Sequence, residues 1–490
     1  MRETGILLHV SSLPSKYGIG TFGEAAYRFV DFLENTKQTY WQILPLGPTS
    51  FGDSPYQTFS LFATNPYFID LDILVAENLL KQDEIISSDK NNNEVDYNAL
   101  YNERFKVLRK AFNRFNDSDE YYQTFLKEQE SWIYNYSFFM ALKDKYDGVS
   151  WMYWPIEVRQ REEETLKALE NELVEDIKFH LFIQFKAYQQ YFNLKKYAND
   201  KGIKIIGDIP IYVAYDSSDV WVNANLFQLD SEKIPEYVAG VPPDNFTSDG
   251  QLWGNPLYDW DEHEKENFAW WVNRIKVQIK FFDMLRIDHF IGFENYYSIP
   301  FKDETARNGK WKKGPGIKLF NQIKNELGEL NIIAEDLGLI TDDVRALLKA
   351  TGFPGMKLLQ FGFDSREESD YIPHNYEENT IAYTGTHDNE TTRQWISNLN
   401  EADRKYCLDY INCTKEGTEV ISMIKATLAT KSKIAIIPMQ DYLDLGAFAR
   451  FNVPSTIGQN WKWRLDKNYL TKELNDLVRR LTKLYGRSRK

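Results

Sequence analysis

Eight short apolar segments, spread along 490 residues, constrain the fold of this chain more than any other feature. Most of them are apolar without strict alternation, which is typical of parallel strands buried on both faces. We predict one β-strand in each. The segments are residues 5–10, 40–44, 203–207, 284–288, 332–335, 356–361, 381–384 and 433–438.

Segments with helical periodicity connect several of these strands. They cover residues 23–34 after the first strand and residues 269–282 before the fourth. Two more lie on either side of the fifth strand, at residues 315–327 and 342–348, the second with Thr341 as its N-cap. Strands that alternate with helices eight times predict an α/β fold of the (β/α)8 or TIM-barrel type.

Two connections are too long for a plain barrel and predict large inserted subdomains after strands two and three. Residues 47–202 should be mostly helical, because residues 158–197 are amphipathic and rich in charge, and the last helix should return to the barrel. Residues 210–265 form a loop-rich insertion expected to lie over the cleft at the barrel mouth. An Asn-rich stretch at residues 90–97 predicts a solvated turn. The catalytic barrel is assigned to residues 1–46, 203–209 and 266–490.

The composition excludes several classes of protein. A net charge of −14 argues against nucleic-acid partners and acidic membrane surfaces, since both need a basic protein surface. No run approaches the length of a membrane span, and the apolar run interrupted by His9 is too short for a signal peptide. Cys407 and Cys413 form neither a disulfide framework nor a metal-ligand quartet. We expect a cytoplasmic monomer.

The sequence contains one glycine-rich motif typical of dinucleotide-binding sites, but its position does not indicate a bound cofactor. Residues 18–23 fit G-x-G-x-x-G, but a dinucleotide fingerprint should follow its strand at once, whereas residues 11–17 intervene here. The next strand ends without an acid that could hold a ribose. Asp336 beside Glu335 also lacks a third ligand at metal spacing. We therefore expect no cofactor and no metal ion.

Polar side chains follow the carboxyl ends of the predicted strands. Asp208 follows the third strand, and Arg286 and Asp288 lie at the end of the fourth. Glu335 ends the fifth strand, and Asp388 follows the seventh. A single acid at such a position is usually a helix cap or half of an ion pair. Because the carboxyl ends of barrel strands share one mouth, however, the joint pattern predicts an active site there.

Enzymes that cleave glycosidic bonds use a pair of carboxyl groups in different environments. Arg286 and Asp288 lie two residues apart and point to the same side of a strand, so the cation can keep Asp288 ionised for attack on an anomeric carbon. Glu335 follows an apolar run that would raise its pKa and suit it to protonate the leaving oxygen. Asp388 would bind sugar hydroxyls and stabilise positive charge near the ring.

The residues alone leave the outcome of this chemistry open. An aromatic content of 15% suits a sugar-binding cleft, because flat rings stack on the apolar faces of sugars. Transfer to a second sugar, rather than hydrolysis, needs acceptor stacking and exclusion of water. Tyr56, Trp253 and Phe246 could supply these, or they could equally be core aromatics. A glucan-binding scaffold without catalysis is disfavoured, because every expected acid is present.

Longer sequence blocks spread over nearly the whole chain give a family resemblance. They are HVSSLP (9–14), SPYQ (54–57), GDIP (207–210), AGVPPD (239–244), QLWGNPLYD (251–259), RIDHF (286–290), AEDLG (334–338), PGMK (354–357), YTGTHDN (383–389) and Asn460-Trp461. The chain resembles the 4-alpha-glucanotransferases known as amylomaltases or disproportionating enzymes, within the alpha-amylase superfamily. RIDHF alone indicates only the superfamily, whereas SPYQ, QLWGNPLYD and AEDLG are specific to the family.

The resemblance implies transfer of an α-1,4-glucan segment to the 4-hydroxyl of glucose or another maltodextrin by a retaining double displacement. Asp288 would be the nucleophile, Glu335 the general acid/base and Asp388 the transition-state stabiliser. The first two carboxyl groups should then lie about 5–5.5 Å apart. An α-glucan hydrolase of the alpha-amylase type is the alternative. The residues expected to bind substrate are Arg286, His387, Asp208, Tyr56, Ser54, Trp253, Asn255, Phe246 and Asn460.

One position departs from the pattern of the family. After Pro-Pro-Asp the family usually has Tyr-Phe on a loop over the acceptor side, but this chain has Asn245-Phe246. An amide replaces a ring, so we expect weaker stacking of the acceptor sugar.

Overall fold

Twelve β-strands lie in the part of the chain that a computed structural model describes, which covers residues 2–50, 52–85, 93–243, 247–338 and 340–489. Eight of them form one parallel sheet in the order β10, β11, β12, β1, β2, β3, β6, β9. Numbered along the chain, the strands are β1 (Glu3–Leu7), β2 (Tyr40–Gln42), β3 (Lys204–Ile209), β4 (Tyr237–Val241), β5 (Gln251–Pro256), β6 (Met284–Ile287), β7 (Asn295–Pro300), β8 (Lys310–Lys313), β9 (Ile332–Ala334), β10 (Gly355–Leu358), β11 (Thr380–Tyr383) and β12 (Ile434–Pro438).

The parallel sheet curves into a barrel. Its end strands β9 and β10 meet where the Ala334 N–H donates to the carbonyl oxygen of Pro354 at 3.0 Å. Each strand of the barrel overlaps one of the eight apolar segments, and the strand residues are almost all buried. The predicted (β/α)8 barrel is confirmed.

Eighteen α-helices surround and extend the barrel in the described ranges. None of these helices combines the length and the apolar character needed to cross a bilayer. They are α1 (Glu24–Asn35), α2 (Leu71–Ala76), α3 (Tyr97–Phe112), α4 (Glu120–Glu128), α5 (Ile133–Lys145), α6 (Ile156–Arg159), α7 (Glu163–Glu172), α8 (Val174–Asp200), α9 (Ser218–Val222), α10 (Trp260–Lys265), α11 (Ala269–Phe281), α12 (Ile317–Leu327), α13 (Asp342–Thr351), α14 (Thr392–Asn398), α15 (Glu401–Tyr410), α16 (Glu419–Ala429), α17 (Met439–Tyr442) and α18 (Lys472–Leu484).

The four helices expected from periodicity are present as α1, α11, α12 and α13. The capping prediction for α13 is also confirmed, because the Thr341 hydroxyl oxygen accepts the Val344 N–H at 3.4 Å. Such a cap satisfies one of the N–H groups that a helix leaves without an internal partner. Local sequence signals were therefore sufficient for these four helices.

Helices α2 to α8 occupy the long connection between β2 and β3. The last of them, α8, runs for 27 residues and ends four residues before β3. It packs against α1, where the Tyr197 hydroxyl donates to Asp31 Oδ1 at 2.7 Å. Residues 90–92 of the expected Asn-rich turn lie outside the described residues, and Tyr97 at its end begins α3. The division into subdomains stays a prediction.

A second sheet takes two of its strands, β4 and β5, from residues 210–265, the insertion expected to be loop-rich. Strands β5, β4, β7 and β8 form an antiparallel sheet in that order. Strands β7 and β8 belong to a region that the sequence assigned wholly to the barrel. Strand β8, Lys-Trp-Lys-Lys, was missed because it is exposed along its whole length and lacks an apolar face.

Candidate active site

The carboxyl ends of three barrel strands carry the polar residues singled out in the sequence. Asp208 lies in β3 directly opposite Arg286 in β6, so the two side chains leave the sheet on the same side. Asp288 follows β6 at once, and Glu335 follows β9. Since parallel strands end at the same rim, these groups share one mouth of the barrel.

Arg286 joins three carboxylates at this mouth. Its Nη1 lies 2.5 Å from Asp208 Oδ2 and 3.3 Å from Asp288 Oδ1. Its Nη2 lies 3.1 Å from Glu335 Oε2. Burial alone would lower the pKa of this guanidinium, but the surrounding acids raise it well above its usual value. Arg286 is therefore a fixed cation that offsets the cost of burying the acids together.

Asp288 and Glu335 lie within hydrogen-bonding reach of each other, and their environments differ. Burial and the charge of Glu335 raise the pKa of Asp288 well above its usual value. Burial would also raise the pKa of Glu335, but Arg286 and the His289 N–H, which donates to Oε2 at 2.6 Å, lower it below its usual value. His289 has a left-handed backbone, with φ of 49°, that turns this N–H toward the acid.

At Glu335 the direction of the pKa shift is opposite to the one that the sequence predicted. The apolar residues before Glu335 suggested a raised pKa, but the second arm of Arg286 and the His289 N–H outweigh them. The separation of about 5–5.5 Å between the two carboxyl groups stays a prediction.

Asp388 completes the set of three acids. His387 Nε2 lies 3.1 Å from its Oδ2, and Asn452 Nδ2 donates to its Oδ1 at 2.6 Å. Burial alone would raise the pKa of Asp388, but His387, Asn452 and Arg286 hold it well below its usual value. This acid is therefore a carboxylate over the whole physiological range.

Tyr56 connects the two sides of the site. Its hydroxyl donates to Asp208 Oδ2 at 2.8 Å and lies 2.9 Å from His387 Nε2. Its ring stacks on the His387 ring, with centroids 5.3 Å apart and planes 13° apart. The Ser54 hydroxyl accepts the Tyr56 N–H at 3.2 Å and so shapes the turn that presents the ring. A continuous series of contacts thus runs from Asp388 to Arg286.

Trp253 and Asn255, both in β5, lie on another side of the mouth. Trp253 meets the His289 ring edge to face at 4.9 Å and is partly exposed. The Asn255 side chain is buried, donates to the Val213 carbonyl at 2.9 Å and accepts from Gln57 Nε2 at 3.0 Å. Trp253 can therefore present a ring to a ligand, whereas Asn255 fixes the loop that carries Tyr56.

A family model described as 4-alpha-glucanotransferase matches residues 8–471 of the chain. The chain belongs to the 4-alpha-glucanotransferase family. A 4-alpha-glucanotransferase from Clostridium butyricum is 50% identical over 485 residues, which cover 98% of this chain and 100% of the relative. The 4-alpha-glucanotransferase from Thermus thermophilus is 42% identical over 96% of both chains.

Solved structures agree with the family assignment. The amylomaltase from Streptococcus agalactiae, in complex with acarbose, is 46% identical and superposes with a TM-score of 0.98 over 100% of both chains. The amylomaltase from Corynebacterium glutamicum, at 17% identity, has a TM-score of 0.81 over 98% of this chain and 75% of its own. At that identity the likeness shows the fold alone.

For two residues expected to bind substrate in this glucanotransferase, the structure gives no contact with the acids. The Asn460 amide is used within its own loop, where Oδ1 accepts the Val453 N–H at 3.0 Å and Nδ2 donates to the Thr456 carbonyl at 2.8 Å. Phe246, together with the unusual Asn245, lies outside the described residues. A sugar contact for either side chain stays a prediction.

Residues that the sequence did not reveal also shape this glucanotransferase site. Asn452 contacts the carboxylate of Asp388, and Arg450 donates to its main-chain carbonyl at 3.1 Å. Both follow β12 and lie more than 60 residues from their partner, outside every block that suggested the family. No local pattern could have identified them. Among the described residues, no group of three or more His, Cys, Asp or Glu side chains could hold a metal ion.

Proposed function

We propose that the protein transfers a segment of an α-1,4-glucan to the 4-hydroxyl of glucose or another maltodextrin, with retention at the anomeric carbon. The observation that carries this proposal is the gathering of Asp288, Glu335 and Asp388 around Arg286 in a chain of the 4-alpha-glucanotransferase family. A carboxylate pair with a third acid beside it is what a retaining displacement requires.

In the first half of the reaction, an Asp288 carboxylate oxygen attacks the anomeric carbon of the donor. The glycosidic bond breaks, and the leaving oxygen takes a proton from Glu335. In the second half, the Glu335 carboxylate removes the proton from the acceptor 4-hydroxyl. That oxygen attacks the anomeric carbon and displaces Asp288, which restores both acids.

These steps require an ionised Asp288 and a protonated Glu335. A sugar ring that lies between the two carboxyl groups would separate them. Asp288 then keeps Arg286 at 3.3 Å as its counter-ion and can ionise, and a proton is available to Glu335. Substrate binding would in this way favour an ionised Asp288 and a protonated Glu335 together.

Asp388 and the aromatic side chains would hold the sugar through these steps. The low pKa of Asp388 keeps a negative charge beside the ring, where positive charge develops at the anomeric carbon. Arg286, Asp208 and His387 would hold the acids and sugar hydroxyls in place, and Tyr56 and Trp253 would stack on the glucan. Ser54 and Asn255 would act through Tyr56, and Asn460 and Phe246 would line the cleft.

Incubation with maltotriose should yield glucose together with maltodextrins longer than the substrate. Because each bond that breaks is replaced by another, total reducing ends should rise little. Glucose would be measured enzymatically, product lengths by anion-exchange chromatography, and reducing ends by a colorimetric assay on the same samples. A rise in reducing ends that equals the bonds broken would support the α-glucan hydrolase instead. No product at all would support a scaffold without catalysis.

A monomeric state and a cytoplasmic location remain proposals. The net charge of −14 favours mutual repulsion of copies and disfavours nucleic-acid or membrane partners. Cys407 and Cys413 are both free thiols, which is consistent with a reducing compartment.

A further inference from the structure

The segment from Arg450 to Asn452 forms hydrogen bonds with the loop that carries His387 and Asp388. The Asn452 N–H donates to the His387 carbonyl at 3.1 Å, and its side-chain amide donates to Asp388 Oδ1 at 2.6 Å. Arg450 donates to the Asp388 carbonyl at 3.1 Å and, through Nε, to the Asn452 carbonyl at 2.9 Å. The two segments are thus joined by both main-chain and side-chain hydrogen bonds.

We propose that Asn452 is a positioning residue that fixes the orientation of the Asp388 carboxylate and keeps its negative charge available to the sugar ring. This inference rests on the proposed function, in which Asp388 stabilises positive charge during transfer. It adds a residue from the loop after β12 to the machinery of the site.

The two carboxylate oxygens of Asp388 contact different residues. Asn452 holds Oδ1 and His387 lies at Oδ2, so the carboxylate cannot rotate without losing one contact. An ionised carboxylate has about four acceptor positions, which leaves positions free for sugar hydroxyls. An orientation set before the sugar arrives reduces the reorganisation needed when charge develops.

The chemistry of the amide matters as much as its position. Asn452 donates a hydrogen bond without carrying a charge, so it binds the carboxylate without neutralising it. The nearby cation Arg450 contacts main-chain carbonyls of this loop, and its Nη1 lies 3.6 Å from Glu390 Oε1 rather than at the Asp388 carboxylate. A lysine or arginine at position 452 would form an ion pair and weaken the field that the sugar experiences.

The variant Asn452→Asp distinguishes this positioning role from a merely structural one. At neutral pH two carboxylates would face each other beside His387, Arg286 and Glu335, with Arg450 and Glu390 further along the loop. They would repel, and kcat should fall about 10- to 100-fold with little change in KM. At lower pH one shared proton would let position 452 donate to Asp388 again.

The expected result is that the ratio of the kcat of Asn452→Asp to that of the wild type rises toward one as the pH falls. The ratio removes the ionisations that both enzymes share. Asn452→Ala, which has no group to protonate, should be slow with a ratio that stays flat across pH. Circular dichroism and thermal unfolding would verify that both variants fold.

Asn398→Asp is the matched control. Asn398 is exposed in α14 and donates to Glu390 Oε1 at 2.8 Å, so the same change places a charge beside a carboxylate that takes no part in the reaction. The ratio of the kcat of Asn398→Asp to that of the wild type should stay near one at every pH. A flat ratio for a folded Asn452→Asp, or wild-type kcat in Asn452→Ala, would overturn the inference. The absence of transfer products from the wild type would instead overturn the proposed function.

Discussion

Asp288→Asn should lower kcat for transfer from maltotriose by about 10⁴-fold or more. The amide is close in size to the carboxyl group but cannot form the ester to the anomeric carbon, so neither half of the reaction can proceed by double displacement. Product formation would be followed over hours by anion-exchange chromatography at high enzyme concentration.

The control for this loss of activity is Asp283→Asn, the same substitution at the opposite end of β6. Asp283 precedes β6, and its Oδ2 accepts the Ile205 N–H at 2.7 Å, far from the barrel mouth. Asp283→Asn should lower the unfolding temperature but keep kcat within about threefold of the wild type, because that end of a barrel serves stability. Near-wild-type kcat in Asp288→Asn would show that another group is the nucleophile.

Glu335→Gln should lower kcat with maltotriose by about 10²- to 10⁴-fold, the range expected for loss of a general acid/base. The leaving sugar oxygen then departs without a proton, and the acceptor hydroxyl attacks without a base. An α-maltosyl fluoride donor separates these two effects, because fluoride leaves without protonation. With this donor the first half of the reaction should recover and fluoride should be released in a burst.

The second half should remain slow in Glu335→Gln, since the acceptor hydroxyl still needs its proton removed. Fluoride release measured with an ion-selective electrode would therefore show a burst close to the enzyme concentration, followed by slow turnover. Equal losses with maltotriose and the fluoride would show that Glu335 does not protonate the leaving oxygen.

The barrel could be predicted from sequence because its signals are local. Segments such as residues 203–207 and 433–438 are apolar apart from Lys204 and Lys433 near their starts, as expected for strands buried on both faces. The acids could be predicted because a barrel places the ends of its strands at one rim, whatever their separation along the chain. Asp288 and Glu335 lie 47 positions apart, yet Arg286 contacts both carboxyl groups.

Features that depend on distant partners could not be predicted. The exposed strand β8 has no apolar pattern and exists because it pairs with β7, as the register of Trp311 opposite Tyr297 shows. The direction of the pKa shift at Glu335 depends on the His289 N–H and on Arg286 Nη2, two contacts that sequence spacing does not reveal. The support of Asp388 by Asn452 is another contact of this kind.

The most direct test of the account is to trap the glycosyl-enzyme in Glu335→Gln and locate the sugar. After reaction with α-maltosyl fluoride and a quench at low pH, intact-protein mass spectrometry should show the addition of one maltosyl unit. Peptide mapping should place that unit on Asp288. An adduct on Asp388 or on any other residue, or a burst of fluoride without an adduct, would contradict the account.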